Sequence, residues 1–161
     1  MLHALRAFLT HPAPTKAQAA GALRTLFLLA FGGQTVLALL AWGVLALVFR
    51  PEPAGTSLTA QVLLVLGALL LPVTLLLSHF SKGTGERSGA LSATLLEGIL
   101  LASPVWFALF VWLIGSPLLY LALLLGLAAL YYGLGLLLTG RHAQHALVVK
   151  PPESNENASN K

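Results

Sequence analysis

The chain has 161 residues, of which 57% are hydrophobic and only 9% charged, with 9 Lys+Arg against 5 Asp+Glu for a formal net charge of +4. An ordinary soluble domain carries about 25% charged residues, so too few remain here to cover a folded surface in water. The abundance of Leu, Val and Phe excludes disorder over most of the length, and the lack of Cys removes a disulfide scaffold, a thiol nucleophile and a thiolate metal site.

Residues 1–24 read as a cytoplasmic or interfacial segment. Within residues 1–10, Leu2, Leu5, Phe8 and Leu9 fall near one face, the pattern of a short helix lying on lipid headgroups or of a frayed end. The segment does not read as a secretory leader. The apolar run after it far exceeds the roughly 7–15 residues of a signal core, and no small-residue cleavage site follows Phe49.

Four long apolar stretches come next, at about 25–49, 61–80, 91–114 and 117–138. Each approaches or exceeds the roughly 20 apolar residues that cross a bilayer as a helix, and a helix satisfies its own backbone hydrogen bonds in lipid. The links are short. Pro51 and Pro53 stop the first helix, residues 81–89 join the second and third spans, and Gly115-Ser116-Pro117 joins the third and fourth, with Gly closing one helix and Pro opening the next. Such links force antiparallel neighbours, so the expected fold is all-α: an integral membrane four-helix up-and-down bundle over residues 25–138. Residues 139–161 form a cytoplasmic tail, largely disordered from Pro151 onward because nothing there can build a core.

Every Lys and Arg except Arg50 falls on the side of the termini: Arg6, Lys16, Arg24, Lys82, Arg87, Arg141, Lys150 and Lys161. The positive-inside rule therefore puts both termini in the cytoplasm. Contact of these groups with anionic headgroups accounts for the basic excess, with no need of nucleic acid.

Glu97 is the only ionisable side chain inside the expected hydrocarbon zone, where a charge costs on the order of 3 kcal/mol. At about 1.5 Å rise per residue, Glu97 lies roughly 9 Å inside the start of its span at Leu91. Thr74 and Tyr132 lie at similar depth from Phe80 and Leu138, and Gln34 roughly 13 Å from Thr25. All four spans thus offer a polar group in one layer: Gln34, Thr74, Glu97, and Tyr131 or Tyr132. The expectation is that they face inward and hydrogen-bond around Glu97, since a partner lowers the cost of a polar group in lipid. Such a layer is either a clasp fixing helix order or a site for a proton, a cation or a small ligand.

Gly32, Gly33, Gly43, Gly67, Gly126, Gly133 and Gly135 allow close helix approach, without a clean GxxxG. Pro72 and Pro104 kink the second and third spans. Trp42, Trp106 and Trp112 lie toward the outer half, with Trp112 placed for an interfacial belt and Trp106 for packing. His142 and His145 stand at an i, i+3 spacing without a carboxylate or Cys near them in sequence, so a solvated pair is expected there and no metal site. No G-x-S-x-G, Gly-rich phosphate loop or H-E-x-x-H occurs, and one intramembrane carboxylate does not supply an acid and a base together. Neither enzymatic activity nor a cofactor is expected.

The segment Leu95-Leu96-Glu97-Gly98 in the third span, with the layout over roughly residues 24–140, resembles a group of small four-span bacterial membrane proteins with no assigned function. That resemblance implies a multi-pass protein of the bacterial cytoplasmic (inner) membrane and brings no catalytic residue. Length, span count and one intramembrane Glu are also similar to the four-span proteolipid subunit of vacuolar-type rotary ATPases. That family, however, carries its ion-binding Glu in the fourth span and dense glycine repeats in the first and third. Two functions remain open: a structural or accessory membrane component that packs against itself or a partner membrane protein, and a small oligomeric proton or cation transporter using Glu97.

Overall fold

The computed structural model describes residues 15–53, 58–81 and 87–145. The expected interfacial helix at 1–10 and the tail at 151–161 lie outside them. Four helices make the fold: α1 (Lys16–Val48), α2 (Leu58–Ser81), α3 (Arg87–Leu113) and α4 (Leu118–His145), with no strand among the described residues. Each is long and apolar enough to cross a membrane.

Local chemistry sets the helix ends, and they overrun the apolar stretches. α1 starts at Lys16 because Thr15 and Gln18 form a capping box: the Gln18 amide N–H donates to Thr15 Oγ1 (3.3 Å), and the Thr15 amide N–H donates to Gln18 Oε1 (2.9 Å). Two of the otherwise orphaned donors of the first turn are thereby satisfied. At the other end Phe49 is extended, and the helix stops ahead of Arg50, which the following Pro51 disfavours in helical conformation. α3 ends in a Schellman motif. Gly115 takes φ 65°, its N–H donates to the Trp112 carbonyl (3.0 Å), and the Ser116 N–H donates to the Val111 carbonyl (3.2 Å). α4 continues past Leu138 to His145.

α3 and α4 pack along their length and form the central pair, with α1 and α2 each resting on both of them. α1 and α2, consecutive in sequence, are the outer members and share at most marginal contact. Burial follows this order: 56% of the apolar stretch of α3 is buried, against 11%, 17% and 22% for α1, α2 and α4.

The helices alternate in direction. At one end Ala19, Ala22 and Leu23 of α1 cluster with Ala143 of α4, against Ala90 and Leu91 of α3. At the other end the rings of Trp42 and Trp112 meet with centroids 5.7 Å apart, and Ala60 of α2 packs with Ala108, Val111 and Leu124. The start of α1 and the end of α4 thus share one end of an up-and-down bundle. The outward faces are Leu and Val, including Leu40, Val44, Leu47, Leu76, Leu118 and Leu137.

Candidate functional site

Glu97 lies on the inner face of α3, 1% exposed. Its helical neighbours at a one-turn spacing, Ala93, Thr94 and Leu101, are all buried too, because this face of α3 is turned to the other helices. Gly98 beside it sets the distance between α1 and α3. A Cβ added there would stand 2.6 Å from the Ala30 Cβ and 3.3 Å from both the Phe27 oxygen and the Phe31 nitrogen. Backbone meets backbone at this level, and only glycine fits.

Phe27, 0% exposed, continues the contact toward α4. Its ring occupies the space a side chain at Gly135 would take. Beside it, the rings of Phe31 and Tyr132 meet at a tilt with centroids 5.4 Å apart, and Tyr132 lies 6.4 Å from the Phe27 ring. Gly98, Phe27 and Gly135 therefore mark one level through three helices. Glu97 stands at it.

The other polar residues of the band divide around that level. Gln34 comes one turn after Ala30, about 6 Å farther out. Its Oε1 accepts the indole N–H of Trp106 at 3.0 Å, tying α1 to α3. Tyr131 comes one turn before Gly135 and donates its hydroxyl to the carbonyls of Gly67 (2.8 Å) and Ala68 (3.0 Å), tying α4 to α2. Thr74 is buried, and its hydroxyl donates to the Leu70 carbonyl of its own helix at 2.6 Å. Tyr132 is 39% exposed, its ring on the phenylalanines. The hydrogen bonds of Gln34, Tyr131 and Thr74 thus go to Trp106, to the α2 backbone and to Leu70.

Pro72 accounts for one of the two acceptors of Tyr131. Proline has no N–H to give the carbonyl four residues back, which is that of Ala68. Tyr131 supplies the missing donor, sharing its proton between two acceptors as three-centre bonds commonly do.

Three participants escape a reading of sequence alone. Trp106 reads as packing, yet it is the partner of Gln34. Gly98 sits at a close approach of α1 and α3 without belonging to any spaced glycine pattern. Phe27 looks like any apolar residue until the notch at Gly135 is seen. Of the seven glycines marked by sequence for close approach, Gly67 and Gly135 have neighbours at that range, while Gly32, Gly33, Gly43, Gly126 and Gly133 meet nothing within 4 Å. Among the described residues no three His, Asp or Glu side chains gather to hold a metal ion; the side chains of His142 and His145 lie outside that description.

Comparison with protein-family models, with curated proteins and with solved structures finds no match to this chain.

Proposed function

We propose that the chain is a multi-pass protein of the bacterial cytoplasmic membrane, both termini inside, that serves as a structural or accessory membrane component. One observation carries the structural role: the long-range hydrogen bonds of the band join helix to helix, Tyr131 to the α2 backbone and Trp106 to Gln34. In lipid, where apolar surfaces gain little by meeting, such bonds and small-residue contacts hold helices together. The membrane setting is supported by the Leu- and Val-covered exterior, of a kind water-soluble monomers rarely expose. The Trp42–Trp112 pair at one end fits an interfacial aromatic belt, and Arg24 and Arg141 toward the other fit the cytoplasmic side. Gly33, Gly43, Gly126 and Gly133, exposed and with open space above them, suit contact with a second copy or a partner membrane protein.

A second reading rests on Glu97. A carboxyl group 1% exposed inside an apolar bundle is placed as a proton or cation carrier requires, and an oligomer would supply the missing wall of a pathway. Reconstitution into liposomes separates the two. The structural reading expects no proton or cation flux above empty vesicles for the native chain or for Glu97→Gln. Flux in the native protein that Glu97→Gln abolishes overturns it in favour of transport.

A further inference from the structure

Between α2 and α4, near the end of the bundle where α4 leaves the apolar zone, a groove opens on the outer surface. Leu71 and Leu75 form one wall and Leu134, Leu137 and Leu138 the other, and Arg141 closes its end. The groove is shaped by the same feature that orders the band. Tyr131 pins α4 to α2 at Gly67 and Ala68, and beyond that point Leu71 and Leu75 of α2 stand across the groove from Leu134, Leu137 and Leu138 of α4. Among the described residues the lining is five leucines and Arg141.

We propose that this groove is a binding site for one anionic phospholipid of the leaflet it faces, with an acyl chain between the leucines and the headgroup phosphate on the Arg141 guanidinium. The chemistry matches at both ends. A saturated chain needs an apolar trough and no hydrogen-bond partners, which the five leucines provide. A phosphate diester fits the planar fork of an arginine, which presents paired donors that a point charge does not. The register also fits: the apolar part of α4 runs Leu118–Arg141 and that of α2 runs Leu58–Leu77. Arg141 therefore stands where hydrocarbon gives way to headgroups, while Leu75 and Leu137 remain within the hydrocarbon.

The site rests on the membrane reading proposed above but not on the choice between a structural and a transporting role. Purified protein in detergent is mixed with phosphatidylglycerol or phosphatidylcholine of equal chain length, and bound lipids are counted by native mass spectrometry. One phosphatidylglycerol is expected to bind in preference to phosphatidylcholine by about fivefold, as expected for one basic group at an anionic surface. Arg141→Gln is expected to erase that preference. Arg24→Gln, which removes an exposed arginine of α1 outside the groove, is expected to keep it, and Leu137→Trp, which fills the trough, is expected to lower occupancy by both lipids. Equal preference in the native chain and in Arg141→Gln, or equal loss in both arginine variants, overturns the site. Carbonate extraction of cell membranes reads the underlying assumption separately: a chain that stays in the membrane while lipid preference fails leaves the membrane reading standing, and a chain that washes off overturns both.

Discussion

Tyr131 on α4 donates its hydroxyl to the Ala68 carbonyl of α2 at 3.0 Å, the acceptor that Pro72, four residues on, leaves without a backbone donor. Tyr131→Phe keeps the ring in place and leaves that carbonyl without its donor in apolar surroundings. The expected loss is about 1 kcal/mol, in the range of hydrogen bonds between membrane helices. Pro72→Ala restores an N–H to Ala68, so in that background Tyr131→Phe is expected to cost less than half as much. Unfolding titrations of the four variants in mixed micelles measure the coupling, and strict additivity would show that the proline and the tyrosine are unrelated.

Phe27 and Gly135 make a second dependent pair. The ring fills the notch at Gly135 and is fully buried, so Gly135→Ala must push α1 and α4 apart or turn the ring off its rotamer. Overpacking of this kind costs about 1–3 kcal/mol. Phe27→Leu alone leaves a void and is also destabilising. The double variant Phe27→Leu/Gly135→Ala is expected to be more stable than Gly135→Ala alone, since each change relieves the other. Gly133→Ala, in open space, is the control and is expected to shift stability by less than about 1 kcal/mol. A double variant less stable than Gly135→Ala alone would sink the size-swap account.

What was legible in the sequence follows from which forces act locally. The four helices could be read from apolar length, and the turn after α3 from Gly115 and Pro117, because both depend on residues adjacent in the chain. The starts were less visible: α1 begins at Lys16, ahead of the apolar run, because the Thr15–Gln18 capping box operates in polar sequence where hydropathy is silent. Depth counting gathered Gln34, Thr74, Glu97, Tyr131 and Tyr132 into one band, since rise per residue is fixed. It could not assign their partners, because that depends on which face each helix turns to its neighbours. Pro72 already implied an orphan carbonyl at Ala68, while the donor that answers it is known only once α2 and α4 are placed side by side. The pairing of α3 with α4 as the central pair, with α1 and α2 outside, likewise leaves no mark on a chain in which all four stretches are comparably apolar.

Gln34 and Trp106 join α1 to α3 by a single bond of 3.0 Å. Gln34→Leu and Trp106→Phe each remove it, and each is expected to destabilise the bundle by about 1 kcal/mol. Because both delete the same bond, the double variant should lose less than the sum of the two. The Gln34 side chain is bonded to Trp106, so Gln34→Leu with Glu97→Gln is expected to be nearly additive if the two share no partner. Strong coupling of Gln34 to Glu97 and none to Trp106 would mean that the glutamine side chain turns inward to the carboxyl.

Gly115 carries the reversal from α3 to α4. Its φ of 65° places it in the left-handed region, where a Cβ crowds the following carbonyl and costs roughly 1–2 kcal/mol. Gly115→Ala is therefore expected to lower stability by about that amount, and Gly115→Asn by less, because asparagine tolerates this conformation best among residues with side chains. The two Schellman bonds, to Trp112 and Val111, are made by backbone groups that neither substitution removes, so a loss would report the dihedral and not the bonds. The ranking Gly, Asn, Ala in mixed-micelle unfolding checks this. An alanine variant as stable as the asparagine one would show that the turn relaxes to a negative φ, and that the short link can be closed in more than one way.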